Sequence, residues 1–337
     1  MNLQEYIIPL QVALESELKR QISRLDKVGI HSFHDILTYH LGWTGEGSGQ
    51  EAQGKRVRPI LLMLSTASCG ENWELSLPAA AAVELVHNFS LVHDDIQDNS
   101  NIRRGRETVW KMWGMPQGIN AGDAMFVLSN LAMLDLIPTY SPEITLKGAK
   151  ILQGTCLELT CGQFLDMSYE TKENPSLEDY WPMVGGKTAA LISASCTLGA
   201  LLGKADESVQ DAYQSFGHYL GLSFQIQDDL LGIWGDMDLT GKSTESDLVS
   251  GKKSFPILFG LRNNGAFAKR WKKGPILPDE VDEIAETLAK EGARSFTQET
   301  ADQMTDMAMK FLSVANPKGK AGEALFAFSN DLLSRKA

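Results

Sequence analysis

Residues 77–98 read LPAAAAVELVHNFSLVHDDIQD, a long apolar run that ends in three carboxylates. Apolar residues recur at three- and four-residue spacing, which is typical of an α-helix. Asp94 and Asp98 are four positions apart, so their side chains project from one helix face about 6 Å apart. Like charges this close repel, and carboxylates at the C-terminal end of a helix oppose its dipole. The stretch therefore predicts a helix that presents negative charge to a bound cation.

The same helical period continues along most of the chain. Convincing period-two strands are absent, and no linker separates independent domains. We therefore predict an all-α fold of about ten or more helices in a single domain over residues 1–337. The predicted helical segments are 2–28, 56–69, 77–98, 118–137, 143–167, 177–203, 205–234, 253–263, 279–292, 296–315 and 319–335.

Composition narrows the class of protein. Hydrophobic residues make up 43% of the chain, charged residues 22%, and the net charge is −12. Such an acidic chain binds nucleic acid or anionic membranes poorly, so we expect no nucleic-acid partner. We identify no apolar run of about 18 residues and no signal-peptide pattern, and expect no membrane span. The four cysteines form no CxxC pair, which favours reduced thiols and a cytoplasmic protein.

A second acidic cluster follows another apolar segment. Residues 224–229 read FQIQDD, so a helix-like run again ends in paired aspartates, Asp228 and Asp229. Gln225 lies three positions before Asp228 and shares its helix face. Solvated helix ends are the simple interpretation of one such cluster, but two clusters favour bound cations. Because Mg²⁺ commonly takes one or two carboxylates together with substrate phosphates, we predict several Mg²⁺ ions around a diphosphate.

Basic residues gather at a few points of this acidic chain. Arginine forks match phosphate oxygens, and helix N-termini attract anions, so these points are candidate diphosphate sites. The residues are Lys55, Arg56, Arg58, Arg103, Arg104, Arg106, Lys187, Lys242, Lys252 and Lys253. Arg56 and Arg106 are as readily interpreted as solvated side chains. The others predict binding of more than one diphosphate.

In their order along nearly the whole chain, the motifs resemble those of the trans-isoprenyl diphosphate synthases, or polyprenyl synthetases. The matched strings are GKRVRP (54–59), ELVHNFSLVHDDIQDNSNIRRGRETVW (84–110), AGDA (121–124), GQFLD (162–166), GGKTAAL (185–191), FQIQDDLLGIWGD (224–236), TGK (240–242) and SDLVSGKKS (246–254). The resemblance implies an isoprenoid-synthase-type helical bundle around a deep central cavity, usually as a homodimer. It implies Mg²⁺-dependent condensation of isopentenyl diphosphate with the carbocation of an allylic diphosphate.

The resemblance also implies roles for individual residues. About three Mg²⁺ ions would be bound by Asp94, Asp98 and Asp228, with support from Asp95, Asp229, Gln163 and Asp166. The allylic diphosphate would be held by Arg103, Lys187 and Lys252. Isopentenyl diphosphate would be held by Gly54, Lys55, Arg58, His87 and Arg104. The catalytic side chains beside the developing cation would be Lys187, Thr188 and Gln225, and the released diphosphate would be the base.

Two histidines and one glycine lie within or beside the two aspartate clusters. His87 lies two helical turns before Asp94 and hence on the same face. Together with the family resemblance, this favours a binding role over the usual one of a core histidine. His93 has no such support, and we interpret it as structural. Many family members carry a third aspartate where this chain has Gly232, so the second cluster lacks an outer carboxylate. Asp236 or water is the expected substitute.

Residues upstream of Asp94 bear on product length. Phe89 is five positions back, about 7.5 Å along the helix axis, and Ser90 is four positions back. The resemblance implies that an aromatic residue at the fifth position alone accompanies a twenty-carbon product, geranylgeranyl diphosphate. Farnesyl diphosphate and longer chains remain alternatives, since Phe89 is equally explained as a core residue.

Three other classes of protein stay open. A non-catalytic subunit of a hetero-oligomeric prenyl synthase usually lacks an aspartate cluster or the isopentenyl diphosphate residues, which this chain keeps apart from Gly232. A terpene cyclase would share the metal clusters but lack GKRVRP. A structural bundle that only buffers metal ions would have no need of the arginine and lysine groups.

Overall fold

The computed structural model describes residues 3–172, 175–235 and 247–334, and they are mostly helical. The helices are α1 (Leu3–Ile22), α2 (His31–His40), α3 (Gln50–Gln53), α4 (Val57–Ser68), α5 (Leu77–Gln97), α6 (Val109–Trp113), α7 (Met115–Leu134), α8 (Pro142–Thr171), α9 (Leu177–Val184), α10 (Ala190–Leu202), α11 (Glu207–Trp234), α12 (Asp247–Ser250), α13 (Phe255–Asn263), α14 (Ala266–Trp271), α15 (Val281–Lys290), α16 (Ala293–Ala315) and α17 (Gly319–Leu333). A π-helical turn covers Gly185–Ala189, and 3₁₀ turns cover Ser23–Val28, Trp73–Ser76 and Pro278–Glu280.

The predicted all-α fold is confirmed, and most predicted segments coincide with helices. A two-stranded antiparallel hairpin follows α5, with β1 (Ile102–Arg103) paired to β2 (Arg106–Glu107). Strands of two residues are too short to show a period of two, so the sequence did not reveal them. The sequence also missed α2, whose polar and histidine residues obscure its period. The segment predicted as one helix over 177–203 contains the π turn, a feature that often marks functional sites.

Contacts divide the chain into two compact units. The first comprises Met1–Gly154, Ser195–Gln210 and Pro317–Leu325, and its core includes Leu14, Leu61, Leu85 and Met125. The second comprises Thr155–Ala194, Asp211–Asn316 and Phe326–Ala337, and its core includes Tyr180, Ile226, Phe255 and Leu258. Assignment of residues 1–337 to one domain stays a prediction.

Among the residues that the structure describes, two helical segments are long and apolar enough to cross a membrane, contrary to our expectation that no such run exists. They are Trp73–Gln97 and Leu177–Leu202. Within the protein, 61% and 78% of their apolar windows are buried. Core helices pass the same test of length and composition, so the two segments give little support for a membrane span.

Candidate active site

Helix α5 carries the first aspartate cluster at its C-terminal end, within the first unit. Asp95 follows the apolar stripe of the helix into the interior, where it is 2% exposed. Asp94 is partly exposed and Asp98 is exposed, so both reach the surface at the helix end. One helix end therefore buries one carboxylate and presents two others outward.

The hairpin that follows α5 brings Arg103 back onto this cluster. Arg103 Nε donates to Asp95 Oδ1 at 2.8 Å, and Arg103 Nη2 lies 3.4 Å from Asp94 Oδ2. Burial raises the pKa of Asp95 to about 6, although the nearby Arg103 charge acts in the opposite direction. Asp95 thus anchors Arg103, which places a guanidinium beside the outward carboxylate Asp94.

The second cluster lies near the end of α11 and belongs to the second unit. Asp229 is buried and accepts three hydrogen bonds, from Tyr180 Oη at 2.8 Å, Gln225 Nε2 at 2.9 Å and the Phe255 amide at 3.0 Å. Burial raises the pKa of Asp229 to about 6, while the Lys252 charge acts to lower it. Asp228, its neighbour, is only partly buried. The two aspartates therefore divide as in the first cluster, one held inside and one nearer the surface.

The π turn places two of the predicted catalytic residues. Lys187 Nζ forms an ion pair with Asp166 Oδ2 of α8, and Thr188 Oγ1 donates to Gln225 Oε1 at 2.8 Å. Close packing makes this possible, since a Cβ on Gly162 of α8 would lie 2.1 Å from the Lys187 amide nitrogen. The second unit thus joins the GQFLD, GGKTAAL and FQIQDD motifs through side-chain contacts.

The donor atoms of the two clusters suit Mg²⁺. The outward groups are carboxylates, the oxygen ligands that this ion prefers. Among the described residues, no group of three or more His, Cys, Asp or Glu side chains is arranged to hold a metal by itself. Asp94, Asp98 and Asp228 offer the kind of oxygen ligand that Mg²⁺ commonly takes together with substrate phosphates.

The predicted isopentenyl diphosphate residues lie in the first unit. Arg58 Nη1 and His87 Nε2 are 3.3 Å apart, and burial, together with Arg58, Arg104 and Arg103, holds the pKa of His87 well below its usual value. His87 is therefore neutral and accepts from Arg58. Arg104 Nη1 donates to the carbonyls of residues 52 and 53 at 3.0 Å. The structure gathers three arginines around one neutral histidine on α5.

Gly54 has a conformation that favours glycine, with φ 77°. A Cβ at this position would lie 2.8 Å from the Arg104 guanidinium carbon, so the glycine seats that side chain. Lys55, the next residue, is exposed. Gly54 therefore admits a close neighbour, and in this structure the neighbour is the Arg104 side chain.

Arg56 and Arg106 are buried, so our interpretation of them as solvated side chains was wrong. Arg56 is 5% exposed, and it bonds to Glu15 and Glu84 at 2.7 Å each. Arg106 donates at 2.6–2.9 Å to three backbone carbonyls of the 39–46 segment. Arg106 thus holds the polar segment 41–54 through the Thr44 and Glu46 carbonyls, and Arg56 donates to the Leu41 carbonyl of the same segment at 3.3 Å.

We expect Arg56→Met to lower the free energy of unfolding by about 3–5 kcal/mol, because it leaves the buried carboxylate of Glu84 without its cation. Urea unfolding followed by circular dichroism measures the loss. Arg20→Met is the matched control: Arg20 also pairs with two carboxylates but is half exposed, and its loss should cost less than about 1 kcal/mol. Equal losses in the two variants would contradict the structural role of Arg56.

The predicted product-length residues lie one and a half turns before the first cluster. The Phe89 ring packs edge-on against Phe126 of α7, with centroids 5.2 Å apart, and Ser90 Oγ donates to the His87 carbonyl at 2.7 Å.

His93 packs against Gly122, where a Cβ would lie 2.2 Å from Nε2. The packing of His93 matches its predicted structural role.

The polar segment 235–253, which contains Lys242, Lys252 and Lys253, is described only in part. Asp236 and Lys242 lie outside the described residues. Lys252 is exposed, whereas Lys253 Nζ donates to the carbonyls of Tyr169, Glu170 and Lys172 near the end of α8. Gln163 is partly exposed on α8, three residues before Asp166.

Two residues near the second cluster escaped sequence reasoning. The Asp247 carboxylate lies against Gly232, where a Cβ would be 2.7 Å from Oδ2, so it occupies space beside the missing third aspartate. Asp247 lies in the matched string SDLVSGKKS, so its place in a family motif could have marked it as a site residue. Tyr180, the buried donor to Asp229, had no signal in this sequence, because its partner is 49 residues away.

Comparison with known proteins places the chain in a family. The profile named polyprenyl synthetase matches residues 48–288, more than half of the chain. A (2E,6E)-farnesyl diphosphate synthase of Mycobacterium tuberculosis is 37% identical over 295 residues, covering 84% of this chain and 80% of the relative. A geranylgeranyl pyrophosphate synthase of Geoglobus acetivorans is 37% identical over 266 residues, covering 78% and 82%. The solved structure of geranylgeranyl pyrophosphate synthetase from Pyrococcus horikoshii has a TM-score of 0.89 at 29% identity, covering 99% of this chain and 98% of that one. The chain is therefore an enzyme of the polyprenyl synthetase family.

Proposed function

We propose that this enzyme condenses isopentenyl diphosphate with an allylic diphosphate and releases geranylgeranyl diphosphate, acting in the cytoplasm. One observation carries the proposal: α5 bears His87, which Arg58 contacts at 3.3 Å, and, about two turns later, the outward carboxylates Asp94 and Asp98. The first group suits a diphosphate without metal, and the second suits a diphosphate with metal. A condensation of two diphosphates needs both kinds of site in one protein.

The first half of the reaction breaks the bond between the allylic carbon and its diphosphate. Bound Mg²⁺, about three ions, would neutralise the charge on the leaving diphosphate. In this proposal Asp94, Asp98 and Asp228 would hold it, and Asp95, Asp229, Gln163 and Asp166 would support them. Arg103, Lys187 and Lys252 hold the oxygens of the same diphosphate. Because Asp95 anchors Arg103 and Asp166 pairs with Lys187, two of these cations are positioned before substrate binds.

The second half joins the allylic carbocation to isopentenyl diphosphate. Gly54, Lys55, Arg58, His87 and Arg104 hold that diphosphate in this proposal. Neutral His87 orients Arg58 by accepting its N–H, so the guanidinium keeps its charge for phosphate. The oxygens of Thr188 and Gln225 face the developing cation, and the released diphosphate takes the proton lost from the new chain.

Phe89 is our proposed floor for the growing chain, and the product is twenty carbons long in this proposal. Relatives named for farnesyl and for geranylgeranyl products match this chain equally well, at 37% identity, so farnesyl diphosphate is the second candidate. The packing of Phe89 against Phe126 supports a fixed wall, because an interlocked aromatic pair resists displacement.

Sizing the products by mass spectrometry tests both activity and length. Purified protein is incubated with Mg²⁺, isopentenyl diphosphate and each of the C5, C10 and C15 allylic primers. We expect a dominant C20 product, which lengthens in Phe89→Ala and is retained in Phe89→Leu, which keeps most of the bulk. A dominant C15 product would favour the farnesyl alternative. Absence of elongation with every primer would overturn the proposed activity and favour the non-catalytic subunit.

We also propose a homodimer. Helix α8 exposes an apolar stripe at Leu146, Leu157 and Phe164, which are 67–69% exposed and share one helix face by their spacing. Monomeric proteins seldom leave such side chains in water along one helix, and a second copy would cover them. Light scattering on the purified protein tests this, and a monomer mass at micromolar concentration would contradict it.

A further inference from the structure

A continuous hydrogen-bond chain runs through the second unit from a buried tyrosine to a predicted catalytic threonine. Tyr180 Oη donates to Asp229 Oδ2 at 2.8 Å, Gln225 Nε2 donates to Asp229 Oδ1 at 2.9 Å, and Thr188 Oγ1 donates to Gln225 Oε1 at 2.8 Å. Three separate elements contribute to it: Tyr180 lies on α9, Thr188 in the π turn, and the other two on α11. Tyr180 is 1% exposed, so its hydroxyl has no access to solvent.

The chemistry of the groups determines the direction of every bond. Tyr180 has a single hydroxyl hydrogen and directs it at Asp229 Oδ2, which the Phe255 amide also faces. The other carboxylate oxygen, Asp229 Oδ1, faces the Gln225 side-chain nitrogen. The Gln225 amide therefore turns its NH₂ toward Asp229 and its oxygen toward Thr188. The Thr188 hydroxyl therefore donates its hydrogen bond to Gln225 Oε1.

This direction matters for a cation. A threonine hydroxyl that donates to Gln225 keeps its oxygen lone pairs for a group on its other side. If the amide were reversed, its oxygen would face the Asp229 carboxylate, and two acceptors would repel without a hydrogen between them. Thr188 would then accept from the amide, and its proton would point at the cation. The orientation of one amide thus decides whether Thr188 stabilises or destabilises developing positive charge.

We propose that Tyr180 is a positioning residue for Thr188, acting through Asp229 and Gln225. The inference rests on the proposed function, in which Thr188 faces the allylic cation. Tyr180 fixes the rotation of the Asp229 carboxylate, Asp229 orients the Gln225 amide, and Gln225 directs the Thr188 lone pairs. Tyr180 itself touches no substrate in this arrangement.

A double-mutant cycle tests the connection between the two ends of the chain. Tyr180→Phe, Thr188→Val and the double variant are compared by steady-state kinetics. We expect kcat to fall about tenfold in Tyr180→Phe and about 100-fold in Thr188→Val, with the KM of each substrate within about twofold. Because Tyr180 acts through Gln225 and Thr188, its removal should cost clearly less than this tenfold once the threonine hydroxyl is gone. Effects that multiply in the double variant would overturn the proposal.

Matched variants separate this role from simple packing. Tyr219→Phe removes another tyrosine hydroxyl of the second unit, from a ring stacked on Phe311, and should leave kcat unchanged. Thr188→Ser keeps the hydroxyl and should restore most of kcat. The fall in kcat in Tyr180→Phe should persist at saturating Mg²⁺. A rate restored to the parental value by excess Mg²⁺ would mean that Tyr180 acts only on the metal site through Asp229, and would overturn the proposal.

A readout without turnover distinguishes failure of this inference from failure of the proposed function. Hydrogen exchange of the Gln225 side-chain amide is followed by NMR and assigned with Gln225→Glu. We expect slow exchange in the parent protein and at least about tenfold faster exchange in Tyr180→Phe, since Asp229 then loses its orientation. If exchange is slow in the parent and faster in Tyr180→Phe but the parent elongates no primer, the proposed function is wrong and the positioning role of Tyr180 stands. If the parent elongates primers and Tyr180→Phe leaves the exchange rate unchanged, the positioning role is wrong and the proposed function stands.

Discussion

Asp94→Asn should lower kcat for elongation by about 1,000-fold or more while leaving the fold unchanged. Asparagine keeps the shape of the side chain but removes the charge that the proposed metal site needs. Asp94 reaches the surface of the helix end, and its contact with Arg103 is the longer of the two that this arginine makes, at 3.4 Å against 2.8 Å. Loss of the Asp94 charge should therefore weaken metal and substrate binding, and should leave the packing of the helix unchanged. Steady-state kinetics with the preferred primer measures the effect.

The control for this variant is Asp123→Asn. Asp123 is an exposed aspartate of the first unit on α7, 3.7 Å from His93, and carries no proposed role in the reaction. Its rate should equal that of the parent enzyme, and thermal unfolding should be the same in both variants. Elongation at a tenth or more of the parental rate in Asp94→Asn would contradict the assignment of Asp94 as a metal ligand.

Gly162→Ala should have the second largest effect, a fall of about 100-fold in kcat together with a loss of about 1–3 kcal/mol of stability. The added Cβ would lie 2.1 Å from the Lys187 nitrogen and 2.6 Å from the Gly186 carbonyl carbon. Both neighbours are backbone atoms, so no side-chain rotation relieves the clash. Helix α8 and the π turn must move apart, which displaces Lys187 and Thr188. Kinetics and urea unfolding measure the two losses.

Gly154→Ala is a demanding control because it makes the same substitution on the same helix. A Cβ at Gly154 would meet nothing within 4 Å. Alanine is favoured over glycine in a helix by about 1 kcal/mol, so this variant should be slightly more stable and fully active. Similar losses in both variants would show that α8 as a whole, rather than its contact with the π turn, is sensitive to substitution.

The sequence predicted α5 well because both of its signals are local. The apolar period and the four-residue spacing of Asp94 and Asp98 depend only on helix geometry, and the structure shows them unchanged. The contrast between Arg56 and Arg58 was not predictable in this way. They are two positions apart in one motif, yet Arg56 is buried against carboxylates 28 and 41 residues away, while Arg58 meets His87. A motif shows which residue types are present, but distant partners decide which of them is available.

The sequence by itself determined the all-α fold, the family and the two aspartate clusters. These signals depend only on the spacing of nearby residues and on the order of motifs along the chain. Only the tertiary structure decided which aspartate of each pair is held inside, where Asp247 lies relative to Gly232, and which groups orient Thr188. These depend on contacts between α9, the π turn and α11, whose hydrogen bonds join residues 37 and 49 positions apart. Asp95 and Asp229 are buried against Arg103 and Tyr180, which lie on other elements. Only the packing of those elements brings the partners together.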